Sequence, residues 1–238
     1  MNQLQPRQAG FTLVEIAIVL VIIGLLLGGV LKGQELINSA KVKNMIGDFR
    51  TVSSLAYGYQ DRFKSFPGDQ TQAQLTLAFP APLAPTACTP AANGLCAQNN
   101  GRVDGSWNAG GAGTGVATDE SSVFWQHVRL ANLATGSTNL AAVEYRPRNA
   151  DGGFIGVESG IDAAGAAAPY IANMRGAFFI CSAGILGRYV KQIDSTMDDG
   201  NTAGGSVQAV ADGAARGTAA VATNLIVDGS QYTVCAAY

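Results

Sequence analysis

One stretch limits what this chain can become. From residue 11 to residue 31 everything is apolar or glycine except Thr12 and Glu15. At a rise of 1.5 Å per residue, a helix of that length measures about 31 Å, matched to the hydrocarbon core of a bilayer. The segment therefore reads as a membrane-spanning helix. An ordinary secretory signal has a shorter apolar core and a small-residue cleavage site after it, whereas here Gly10 precedes the run. A plain single-pass anchor satisfies the composition but leaves Glu15 unexplained. A charge costs roughly 2.5 kcal/mol or more at the bilayer centre and less near the interface. No Lys, Arg or His lies within the span, so the expected partner comes from outside it, as an amine on a neighbouring molecule. Flanking charge does not orient the span, since Arg7 precedes it and Lys32, Lys41 and Lys43 follow.

The order Gly10, Phe11, Thr12, Leu13, Val14, Glu15, followed by an uninterrupted apolar run, resembles the class III signal of prepilins, the precursors of type IV pilins and type II secretion pseudopilins. The resemblance implies cleavage by a prepilin peptidase between Gly10 and Phe11, and methylation of the new N-terminus at Phe11. It also implies a role for Glu15, which in such fibres pairs with the N-terminal amine of an adjacent subunit. A buried charge so paired is tolerated where a lone one is not. The cytoplasmic placement of the leader, residues 1–10, rests on the same resemblance. Many major pilins carry proline where this chain has Lys32, so local unwinding of the helix in a fibre would depend on Gly24, Gly28, Gly29 and Gly33. Of these, Gly24 and Gly28 form a GxxxG pair suited to close helix approach.

Beyond the span the helical pattern continues but becomes amphipathic. Val42, Met45, Ile46, Phe49, Val52, Ala56, Tyr59 and Phe63 recur at three- and four-residue spacing, with charged and polar residues largely between them. A helix over residues 11–66 is expected, its second half laid on a soluble domain, ending where Pro67, Gly68 and Asp69 break it. Residues 67–119 are rich in Pro, Ala, Gly, Asn and Thr and are expected to lack regular structure. Acidic residues at 119 and 120 then introduce VFWQHVRLANL, a second helix. Strands are expected in LAAVEY, GGFIGVE, AFFIC, SVQAV, NLIV and YTVCAAY, the last two joined as a hairpin across Asp228 and Gly229. LGRYVKQIDSTM reads as a helix. The expected fold is α+β and pilin-like, a long N-terminal helix packed on a C-terminal domain, residues 67–238, that contains an antiparallel sheet.

The four cysteines, Cys88, Cys96, Cys181 and Cys235, show no C-x-x-C spacing, so disulfides are favoured over a zinc site. Three connectivities are open, and the favoured one pairs Cys88 with Cys96 and Cys181 with Cys235. Cys88 with Cys96 closes a short loop, and Cys181 with Cys235 joins two strand-like segments. The alternative, four reduced and buried thiols, weakens outside the cytoplasm. Net charge is −2, and no run of Lys or Arg occurs, so nothing attracts nucleic acid globally. With His127 as the single histidine, and no H-E-x-x-H, G-x-S-x-G or phosphate-binding glycine loop, no catalytic set can be assembled.

Two functions follow from the resemblance. The first is a structural subunit of a type IV pilus or type II secretion pseudopilus, with prepilin peptidase and identical or related subunits as partners. It is held in the inner membrane, domain in the periplasm, before it joins a periplasmic or extracellular fibre. The second is a minor pilin at the fibre tip whose loops bind a ligand, a surface or DNA. No cofactor is required by either. One segment, IDSTMDDGNTAGG, carries Asp194, Asp198 and Asp199 near a helix C-terminus that disfavours negative charge. It reads in two ways: the aspartates cap the turn that follows Gly200, or together they hold calcium.

Overall fold

The computed structural model describes residues 12–83, 85–90, 95–111, 113–160 and 169–238. The chain forms two units, Met1–Ala40 and Lys41–Tyr238. Helix α1, Leu13–Phe63, contributes to both.

In the first unit, every residue from 13 to 31 is exposed. Among the described residues no side chain buries this apolar stretch, as expected for a segment whose solvent is lipid. The second unit contains α2 (Gln72–Ala78), α3 (Glu120–Leu130), β1 (Ile155–Glu158), β2 (Phe179–Leu186), α4 (Gly187–Met197), β3 (Val207–Ala211) and β4 (Gln231–Ala237). The four strands form one antiparallel sheet in the order β1-β2-β4-β3.

Alternation along the strands gives the sheet two apolar faces, and both are covered. Val157, Ile180, Ala209 and Val234 share a buried cluster with the α1 stripe, with Phe124 and Val128 of α3, and with Tyr189, Val190 and Ile193 of α4. Phe179, Cys181, Val210 and Cys235 point the other way and pack with Trp107, Tyr170, Ile171 and Met174 from the loops. The stripe read from the sequence is the buried one: Val42, Met45, Ile46, Phe49, Val52, Ala56 and Tyr59 are all nearly inaccessible. Burying side chains of this size contributes about 1.5–3 kcal/mol each, which ties the second half of α1 to the sheet.

Four local expectations need correction. Helix α1 stops at Phe63, ahead of Pro67, because Lys64 turns left-handed (φ 57°) and closes the last turn with its N–H on the Gln60 carbonyl at 2.8 Å. Residues 72–78, expected to be irregular, form α2. Its start is a capping box in which Gln74 N–H donates to Thr71 Oγ1 and Thr71 N–H donates to Gln74 Oε1. LAAVEY is not a strand but a pair of turns, with Ala142 N–H on Asn139 O and Tyr145 N–H on Ala142 O, each at 3.0 Å. Nor does NLIV pair with β4. Both edges of β4 are already taken by β2 and β3, so Thr223–Leu225 forms a 3-10 turn and leaves Leu225 and Val227 exposed.

Candidate functional site

The candidate site begins at the start of α1. Thr12 and Glu15 stand three apart at its first turn, and Glu15 Oε2 accepts from both the N–H and the hydroxyl of Thr12, each at 2.8 Å. The Glu15 N–H donates in return to Thr12 Oγ1 at 3.3 Å. This is a reciprocal capping box, and it places a carboxylate against the positive pole of the helix. The requirement for an outside partner is thereby reduced but not removed, since neutral donors of the same chain do not cancel the charge. The sequence carries the signal for this cap as T-x-x-E immediately before an apolar run. Gly10 and Phe11, the expected processing junction, lie outside the described residues.

The cysteines are joined as Cys88 with Cys96 and Cys181 with Cys235. Cys181 and Cys235 face one another across β2 and β4, with Cα atoms 4.0 Å apart, on the sheet face away from α1. The pair at 88 and 96 is buried against Val123 of α3, and Gln98 donates to the Cys88 carbonyl.

The Pro- and Gly-rich stretch before α3 is anchored at many points. His127, fully buried in α3, accepts the Gly68 N–H on Nδ1 at 3.0 Å and sits with Nε2 3.0 Å from the Thr86 carbonyl. Those two contacts require the neutral ring with its proton on Nε2, and burial pushes its pKa down to about 4. Both ring nitrogens are thus committed to loop backbone. Nearby, Asp69 accepts the Asn100 and Gly101 N–H groups at 2.9 Å each, and Tyr59 bonds Gln70. Glu120, at the start of α3, accepts the Asp104 N–H at 2.9 Å, and burial first, then Asp104 and Asp69, raise its pKa to about 8.

Glu158 of β1 is fully buried yet well supplied. It accepts from the Trp107 N–H at 2.9 Å, the Tyr170 N–H at 3.0 Å and two nitrogens of Arg216. Three loops are joined to the sheet edge by this one carboxylate. Sequence reasoning did not single it out, because its partners lie at least 12 residues away.

The three aspartates of the acidic segment come together. One carboxylate oxygen from each of Asp194, Asp198 and Asp199 lies within 4.8 Å of the others. Asp194 is fully buried, and neither of its oxygens has a hydrogen-bond partner. Burial first, then Asp198 and Asp199, raise its pKa to about 6, opposed by the Gly200 N–H, which lies near the carboxylate outside hydrogen-bond geometry.

Residues 5–31 match the family described as the prokaryotic N-terminal methylation motif. Comparison with curated proteins and with solved structures returned no match. The chain thus carries a type IV prepilin-like N-terminal signal, on a long apolar helix followed by an α+β, pilin-like domain.

Proposed function

We propose that this chain is cut after Gly10 by prepilin peptidase, methylated at Phe11, and assembled through α1 with identical or related subunits into a type IV pilus or type II secretion pseudopilus. The observation that carries the reading is the coincidence of the methylation motif with a helix whose residues 13–31 are exposed and apolar and which begins at a carboxylate. In a monomer lipid covers that surface. In a fibre the same surface meets other helices, and Glu15 meets an amine. Before assembly the chain sits in the inner membrane with residues 41–238 in the periplasm, an oxidising compartment that suits two disulfides.

A second reading, a minor pilin at the fibre tip that binds a ligand, a surface or DNA, draws support from the stretch 67–119, which outside α2 forms no other helix or strand among its described residues. It is stapled by a disulfide and by His127 and Asp69 rather than left loose. Immunoblotting of sheared surface fibres separates the two, since a major subunit is abundant along the fibre and a minor one is scarce. Intact mass of the membrane-extracted protein tests both at once. A mature species that retains Met1 in cells with active prepilin peptidase would overturn them.

A further inference from the structure

We propose that Asp194, Asp198 and Asp199 form a calcium site that closes the loop between α4 and β3 and stabilises the unit Lys41–Tyr238. Asp194 is the most deeply buried of the three. Its side chain is fully buried on the last turn of α4, and both of its oxygens lack a hydrogen-bond partner. A buried carboxylate in that condition either takes up a proton or acquires a cation. None of the ion pairs formed among the described residues includes Asp194, Asp198 or Asp199, so no side-chain cation fills the role.

The surrounding loop holds the other two carboxylates in place. Asp198, the residue that ends α4, puts its N–H on the Asp194 carbonyl at 2.7 Å. Its Oδ2 accepts from the Ser206 N–H at 2.6 Å and the Val207 N–H at 3.1 Å, which pins it to the start of β3. Asp199 Oδ1 accepts the Asn201 N–H at 2.8 Å. The Gly200 carbonyl is held by the Thr223 hydroxyl at 2.9 Å, and the Thr202 hydroxyl reaches the Val221 carbonyl at 2.7 Å. Gly205 has φ 71°, and a Cβ there would stand 1.9 Å from Asp198 Oδ2, so the close wrap of this loop around Asp198 admits only glycine.

The ligand chemistry selects calcium. Two oxygens on opposite sides of one calcium ion are about 4.8 Å apart, twice a bond of about 2.4 Å, and the three carboxylates satisfy that limit. The negative pole of α4 adds to the attraction. Asp199 is exposed and Asp198 half-buried, so water can complete a shell of six to eight oxygens, which calcium accepts with loose geometry and magnesium does not. The site itself stands apart from the assembly reading. Only the supply of calcium rests on the placement of the domain outside the cytoplasm.

The test uses the full chain in detergent. Equilibrium dialysis measures calcium bound, and thermal melts compare chelator, millimolar calcium and millimolar magnesium. The wild type should bind one calcium per chain and melt about 3 °C or more higher with calcium than with chelator, with magnesium not reproducing the shift. Asp194→Asn should be at least as stable as wild type in chelator, because a buried charge is gone, yet gain nothing from calcium. Asp199→Asn, at an exposed position, should weaken binding about tenfold or more. If Asp194→Asn does not fold, Asp199→Asn decides. Absence of calcium binding by the wild type at millimolar concentration, or an undiminished shift in Asp199→Asn, would overturn the proposal.

Discussion

Arg216 donates through two guanidinium nitrogens to the carboxylate of Glu158, whose side chain is completely buried. The pair lies 58 residues apart in sequence and is joined by two backbone N–H groups that also point at the carboxylate. Breaking such a pair from one side leaves a buried charge, so Arg216→Ala should destabilise the domain by about 3 kcal/mol or more. Adding Glu158→Gln to Arg216→Met should recover most of that loss. Urea unfolding followed by circular dichroism checks both, and equal stability of the single and double variants would contradict the account.

His127 gives the domain a pH dependence of known sign. Its pKa is lowered in the folded state, to about 4, from about 6.5 unfolded. Its contribution to stability is therefore intact above pH 6.5 and lost as pH falls from there toward pH 4. Between pH 7 and pH 5 the loss amounts to about 2 kcal/mol. Buried carboxylates act the other way: Glu120, raised to about 8, and Asp119, raised to about 6 by burial, favour the folded state as pH falls. The histidine contribution is isolated by comparison with His127→Gln. The wild type should lose about 2 kcal/mol more than the variant over that interval, measured by unfolding at each pH.

Glu15 separates insertion from assembly. Glu15→Ala removes a charge from the membrane segment, so the protein should insert and be processed normally. Loss of one partner of a desolvated charge pair is worth well over 1.4 kcal/mol, and incorporation into sheared fibres should fall about tenfold or more. Thr12→Val, which keeps the carboxylate but deletes the hydroxyl that bonds it, should have a milder effect. Wild-type incorporation of Glu15→Ala would rule out the pairing.

The two disulfides should differ in value. Cys181–Cys235 closes 54 residues and Cys88–Cys96 closes 8. Loop-closure entropy then predicts losses of about 4 kcal/mol and about 2.5 kcal/mol when each is replaced by a pair of alanines. Thermal unfolding of the two double variants gives the order. A larger loss at 88 and 96 would mean that packing against Val123, rather than chain entropy, sets the effect.

What the sequence determined by itself is what depends on neighbours close in the chain. The membrane span follows from 21 consecutive residues of known polarity, and the α1 stripe from Val42 to Tyr59 follows from helical spacing, because both are properties of one segment and its solvent. The capping boxes at Thr12 and Thr71 were equally local, and readable for the same reason. Tertiary structure decided whatever required two distant segments to compete for one partner. β4 took β2 and β3 as neighbours, which left NLIV no edge to pair with, although Asp228 and Gly229 carried a good turn signal. Glu158 met Arg216, and His127 met Gly68 and Thr86, only because the sheet and α3 brought loops from remote positions together. Asp194 lies between these cases. Its spacing from Asp198 along α4 was legible, but its complete burial with neither oxygen bonded arises from the packing of α4 on β2, β3 and β4.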